Sequence, residues 1–116
     1  AETKFQDFSV GGYWLYAMVS PENEKHWGRM NYLSIDLHKG FQLEDAFCDE
    51  NGNLNMELPV STGRNVFTPT ATGTLVEFKT NYSSEEQIQQ IVEMGFEQGI
   101  TACMEQLNQL IIQGKI

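Results

Sequence analysis

The last third of the chain, residues 83–113, constrains the fold most, because its apolar residues recur at spacings of three and four. Ile88, Ile91, Val92, Phe96, Ile100, Cys103, Leu107, Leu110 and Ile111 share one side of a 3.6-residue period, and Glu and Gln fill much of the other. This pattern predicts one long C-terminal amphipathic helix that must bury a single stripe. Ser83 or Ser84 can cap it, with Glu86 or Gln87 three residues later closing a capping box and acidic residues in the electropositive first turn. Gly95 and Gly99 stand on or near the stripe, and a glycine inside a helix costs about 1 kcal/mol relative to alanine. Either the helix backbone presses closely on what lies beneath it, or the absent side chains leave a space.

The first 82 residues read as strands separated by turns. Runs of apolar and aromatic residues at 5–10, 13–19, 27–37, 41–47, 61–68 and 74–82 are parted by Gly11-Gly12, by Ser20-Pro21-Glu22-Asn23-Glu24, by His38-Lys39-Gly40, by the Asn51-Gly52 turn and by a Pro- and Gly-containing link over 69–73. Phe41, Leu43 and Phe47 alternate with Gln42 and Glu44, and Val76, Phe78 and Tyr82 with Glu77, Lys79 and Asn81. Such alternation predicts an antiparallel sheet covered on one face, and the helix is long enough to cover it. The expected architecture is α+β: a curved six-stranded antiparallel meander over 1–82 packed on one long helix over 83–113, in a single domain spanning 1–116.

The hairpin around His38 can be given a register. With Ile35 opposite Phe41 and Leu33 opposite Leu43, apolar residues face one another; continued, the same register sets Asn31 opposite Asp45 and Arg29 opposite Phe47. Arg29 and Asp45 would then be diagonal neighbours on the inner face, a carboxylate with an amide and a guanidinium in reach. A register displaced by one residue would turn all of these side chains outward.

Charge and composition remove several functions. The formal charge of −9, with seven scattered Lys and Arg, argues against a nucleic-acid partner. No apolar run approaches the roughly 20 residues of a membrane span. No charged-then-apolar leader opens the sequence, so a cytoplasmic location is expected. Cys48 and Cys103 lack metal-ligand spacing and read as free thiols, and His26 and His38 lie outside any paired-ligand motif. No metal or cofactor is expected.

Gly11-Gly12-Tyr13-Trp14, the Asp49-Glu50-Asn51-Gly52 turn, Gly73-Thr74 and above all Met94-Gly95-Phe96-Glu97-Gln98-Gly99, followed by Leu107 and Leu110, resemble one bacterial family over nearly the whole chain. It is the family named for homology to the activator of the 90-kDa heat-shock protein ATPase, within the START-like (SRPBCC), birch-pollen-allergen-like superfamily. The resemblance implies a helix-grip fold, a seven-stranded antiparallel sheet around a long C-terminal helix, enclosing a cavity for an apolar or amphipathic ligand. Members usually begin with a strand and two short helices ahead of the Gly-Gly, and this sequence starts after them. By family topology that strand pairs with the last one and those helices close the mouth of the grip. The Thr74–Tyr82 run is therefore expected to present an open edge and to pair with a second chain, as a homodimer or a domain-swapped pair, through that strand or through the open side of the cavity. At Leu37-His38-Lys39-Gly40 the sequence departs from the family's Pro-rich turn, so no role carries over there.

Three readings of function follow. The first is a non-catalytic binding module for a hydrophobic small molecule, whose expected cavity is lined by Trp14, Tyr16, Arg29, Asn31, Leu33, Leu43, Asp45, Phe67, Phe78, Gly95, Phe96 and Gly99, apolar walls with a few orienting polar groups. Against it, aromatic residues at such spacings are usually plain core. The second is a polyketide cyclase- or lyase-like enzyme, with Asp45 and Arg29, or the hydroxyls of Tyr16 and Tyr32, as acid and base. The third is a co-chaperone, suggested by the family's name alone.

Overall fold

The computed structural model describes residues 1–115, and they form two compact units, Ala1–Ser83 and the segment from Ser84 onward. The first unit is a six-stranded antiparallel meander in which every strand pairs with its sequence neighbours. Its strands are β1 (Glu2–Gln6), β2 (Tyr13–Val19), β3 (Lys25–Asp36), β4 (Gly40–Cys48), β5 (Ser61–Pro69) and β6 (Thr74–Asn81). The second unit holds α1 (Glu85–Glu93) and α2 (Phe96–Ile112). The chain is thus α+β, as the sequence patterns imply. The first strand lies at 2–6 rather than 5–10, because residues 7–12 turn back on themselves. Asp7 and Gly12 donate backbone bonds to Tyr13 and Ser9, and the Gly11 and Gly12 backbone is clipped to Tyr32 by two bonds of 3.0 Å.

The hairpin register holds only near the turn. Ile35 is opposite Phe41 and Ser34 opposite Gln42, but the next pair is Tyr32 with Leu43, leaving Leu33 as the extra residue of a β-bulge. Below the bulge Met30 faces Asp45, Arg29 faces Ala46 and Gly28 faces Phe47. Since side chains alternate along a strand, this one-residue slip exchanges the faces expected for residues 25–31. Arg29 and Asn31 lie on the face opposite Asp45, and Leu33 is half exposed.

Each face of the sheet has its own character. One carries Trp14, Tyr16, Tyr32, Phe41, Leu43, Phe47, Phe67, Val76 and Phe78. Phe8 joins its aromatic cluster, making edge-on contacts with Tyr32 and Phe41 at centroid separations of 4.8 and 5.2 Å. On the other face, Leu15, Ala17 and Ala46 are buried, and the 49–53 turn lies over this side. Asp49 organises that turn, its carboxylate accepting from the backbone N–H groups of Asn51 and Asn53 and from the Asn53 side-chain amide, all at 2.9 Å. Arg29 reaches up from the strand to donate to the Gly52 carbonyl at 3.4 Å, and to Asn31 at 3.0 Å, with its guanidinium 3.9 Å over the Tyr13 ring. Its work is to pin the turn.

The helical unit corrects the expectation of one continuous helix. Ser84 caps α1 by accepting from the backbone N–H of Gln87 at 3.2 Å, one of the two cap positions expected. The helix then stops at Met94, and Gly95 takes a left-handed backbone with φ of 91° before α2 begins. Gly95 is therefore a hinge between two helices, needed for its conformation, whereas Gly99 sits in the first turn of α2 with an ordinary helical backbone. The two glycines should respond oppositely to substitution. Gly95→Ala is expected to lower stability by about 1 kcal/mol, the cost of a side chain in the left-handed region, and Gly99→Ala to raise it by up to about 1 kcal/mol. Urea melts followed by far-ultraviolet circular dichroism measure both.

Candidate functional site

Among the expected site residues, Trp14, Tyr16, Leu43, Asp45, Phe67 and Phe78 share one face of the sheet. Arg29 and Asn31 face the other way, Leu33 is the bulged residue, and Gly95, Phe96 and Gly99 belong to the helical unit.

The centre of the shared face is a hydrogen bond that spans a strand. Tyr16 on β2 and Asp45 on β4 are separated by β3, yet the Tyr16 hydroxyl lies 2.9 Å from both Asp45 carboxylate oxygens. The residue between them is Gly28, paired with Tyr16 on one side and Phe47 on the other. A Cβ at Gly28 would stand 2.6 Å from the Tyr16 hydroxyl and ring carbon, so the ring crosses β3 only because that side chain is missing. Trp14 stacks on Tyr16 with centroids 4.1 Å apart, and its indole N–H is held by Thr3 at 2.9 Å. Ring, stack and glycine together place one hydroxyl.

Burial governs the electrostatics. Desolvation pushes the Asp45 carboxyl up to about 6, against the lowering effects of the Tyr16 hydroxyl and the Ala46 backbone N–H. Tyr16 is driven well above the ordinary phenol range, first by burial and then by the adjacent carboxylate. Two further groups border the pair. Ser61, buried and directly opposite Asp45 in the register, donates at 3.5 Å to its main-chain carbonyl. Tyr82 is raised by burial and by Asp45, and lowered by a bond with Ser61. Near neutral pH Asp45 can accept a hydrogen bond, and just below pH 6 it can donate one.

Gly28, Ser61 and Phe8 were not singled out from sequence. Only Gly28 carried a signal, a glycine inside a β-pattern, which marks close approach by another group. Tyr32, a candidate acid or base, is buried in the aromatic cluster and accepts from the Gln6 amide at 3.1 Å, away from Asp45. Cys48 and Cys103 are free thiols. Among the described residues no group of three or more His, Cys, Asp or Glu could hold a metal, and no helix is long and apolar enough to cross a membrane.

Comparison with known proteins agrees with the fold. The family model described as "Activator of Hsp90 ATPase homolog 1-like protein" matches residues 1–111. The crystal structure of protein Ms6760 from Mycobacterium smegmatis is 33% identical with a TM-score of 0.86, over 93% of this chain and 66% of that one. The solution structure of a protein from Arthrobacter aurescens is 29% identical with a TM-score of 0.84, over 96% and 64%. The chain thus spans slightly less than two thirds of each of these relatives. No curated protein matches.

The raised Asp45 value has a measurable consequence. The folded protein retains a proton that the unfolded chain has released between pH 3.8 and about 6. This contribution to stability is full below pH 3.8 and is lost as pH rises through 6, amounting to about 2–3 kcal/mol. Asp45→Asn should flatten that slope in denaturant titrations across pH 4–7. Gly28→Ala should displace Tyr16 and cost about 1–3 kcal/mol, with the Asp45 carboxyl, followed by carbon-detected NMR, titrating higher once its lowering partner is gone.

Proposed function

Because the chain belongs to the Activator of Hsp90 ATPase homolog 1-like family, of the START-like helix-grip class, we propose that it is a non-catalytic binding domain for an apolar or amphipathic small molecule. The observation that carries this reading is the Tyr16–Asp45 pair, bordered by Ser61, on a sheet face built mainly of aromatic and aliphatic residues. A fold with no use for polar groups there would fill the place with apolar side chains, since a buried carboxyl costs stability at neutral pH. Apolar walls with one oriented polar anchor are the usual make-up of a ligand site.

In this reading Trp14, Leu43, Phe67 and Phe78 supply contact area. Asp45, oriented by Tyr16, receives a hydroxyl or amine of the ligand when ionised, or donates to a carbonyl when protonated. Gly95, Phe96 and Gly99 belong to the helical unit, and the reading of the sheet face does not draw on them. Arg29 and Asn31 drop out of the polar anchor, being committed to Gly52 and to each other.

Two rival readings have distinct signatures. A carboxyl poised at about 6 suits general acid or base catalysis, which favours the cyclase- or lyase-like alternative. The family's printed name points to stimulation of a chaperone ATPase, testable by adding the purified chain to the chaperone against a heat-denatured control.

The deciding measurement is mass spectrometry of lipophilic compounds extracted from the purified protein, followed by titration of any compound found. Binding by the wild type, weakened about tenfold in Asp45→Asn by loss of one charge-assisted hydrogen bond and without turnover, is the expected outcome. Turnover abolished by Asp45→Asn would establish the enzyme instead, and affinity unchanged in that variant would remove Asp45 as the anchor.

A further inference from the structure

The charges of the sheet are sorted between its two faces. The pairing of β2 through β6 sets Arg29, Glu44, Arg64, Glu77 and Lys79 on one face, and the Tyr16–Asp45 pair on the other. β4 is an interior strand, so the neighbours of Asp45 within the sheet are fixed by its ladders. Met30 on β3 and Ser61 on β5 stand directly opposite it, with Leu43 and Phe47 on either side along β4. All four are uncharged, and Asp45 itself keeps part of its surface exposed.

The hydroxyls beside the carboxyl are committed. Tyr16 donates to the carboxylate, and Ser61 donates to the Asp45 main-chain carbonyl. An ionised carboxylate has about four lone-pair sites, and the Tyr16 proton and the Ala46 backbone N–H fill only part of that capacity. What this place offers a ligand is therefore acceptor oxygen carrying negative charge. A neutral hydroxyl would gain one ordinary hydrogen bond there. An ammonium would gain a charge-assisted bond, roughly twice as strong, and would offset the cost that desolvation places on the ionised carboxyl. A ligand carboxylate would set two like charges together, which is unfavourable.

We propose that the Tyr16–Asp45 site selects apolar ligands bearing a protonated amino group, with the ammonium on the Asp45 carboxylate and the apolar body over Met30 and Leu43, and that it discriminates against apolar carboxylates. This inference rests on the binding-domain reading and adds the sign of the ligand's charge to it.

Three probes with one aromatic body test it: naphthylmethylamine, naphthylmethanol and naphthoate, titrated calorimetrically at about pH 7.5. The amine should bind about tenfold more tightly than the alcohol, the difference between a charge-assisted and a neutral hydrogen bond, and naphthoate should bind most weakly. In Asp45→Asn the amine should fall to the affinity of the alcohol. Two readouts need no change at Asp45. The amine's advantage should fade as pH falls through about 6, where Asp45 takes up its proton. Saturating amine should also lower the Asp45 titration, followed by carbon-detected NMR, by about one pH unit, the linked counterpart of a tenfold preference for the ionised form. Of the other titratable groups around this face, Tyr16, Tyr82 and the Cys48 thiol are all raised. His26 is exposed, 3.9 Å from Glu24, and a His26→Asn control removes its contribution. Equal affinity for the three probes, or tighter binding of naphthoate, would overturn the amine preference and leave the binding-domain reading standing. An amine preference that survives in Asp45→Asn or persists unchanged at pH 5 would overturn Asp45 as its source, and binding of none of the probes by protein with native circular dichroism would overturn both readings.

Discussion

The site depends on an absence, the missing side chain of Gly28. Hydrogen-bonded neighbours in a sheet are about 5 Å apart, so a residue on β2 ordinarily reaches β3 and no further. With no Cβ at Gly28 the Tyr16 ring lies flat across β3 and delivers its hydroxyl to Asp45 on β4. Trp14 then stacks on the ring, and Thr3 on β1 fixes the indole. Four strands are tied to one carboxyl by a route that begins at a glycine. Burial lifts the Asp45 carboxyl to about 6, and the Tyr16 hydroxyl delivered by this route holds it from rising further.

Much of the fold was legible in the sequence because it rests on local signals. Apolar and aromatic runs bounded by turn residues marked β2, β4, β5 and β6 to within about a residue, and the cap at Ser84 and the turn at Asn51-Gly52 sit where capping and turn chemistry require. The apolar sides of β4 and β6 were also identified correctly. Two things were not legible. A β-bulge has no sequence mark of its own, and Leu33 looked like an inward residue paired with Leu43, which carried Arg29 and Asn31 to the wrong face. Gly95 was read as a helix-interior glycine because the apolar periodicity continues across it from Val92 to Phe96. Periodicity records which side of a helix is apolar and does not register a single left-handed residue between two helices that keep the same phase.

The candidate site was legible in part for the same reason. Trp14, Tyr16, Leu43, Asp45, Phe67 and Phe78 lie on strands whose alternation is unbroken or whose faces are fixed by apolar neighbours. The Arg29–Asp45 association rested on counting residues through the one place where counting fails. Ser61 became visible only through the β4–β5 register, which sets it directly opposite Asp45; nothing about a serine at the start of a strand announces a buried neighbour.

Leu33 acts as a phase joint within β3. The turn end of the strand, with Ile35 opposite Phe41, and the site end, with Gly28 beneath Tyr16, run on odd and even numbering respectively, and still present one continuous face. A chain lacking Leu33 could keep Tyr32 opposite Leu43 and Ser34 opposite Gln42, so length can vary there by one residue without rewriting the site. Loss of Arg29 would instead exchange the faces of every β3 residue before it, beginning with Gly28. Within β3, Leu33 is therefore the position where a residue can come or go with the chemistry of the site kept.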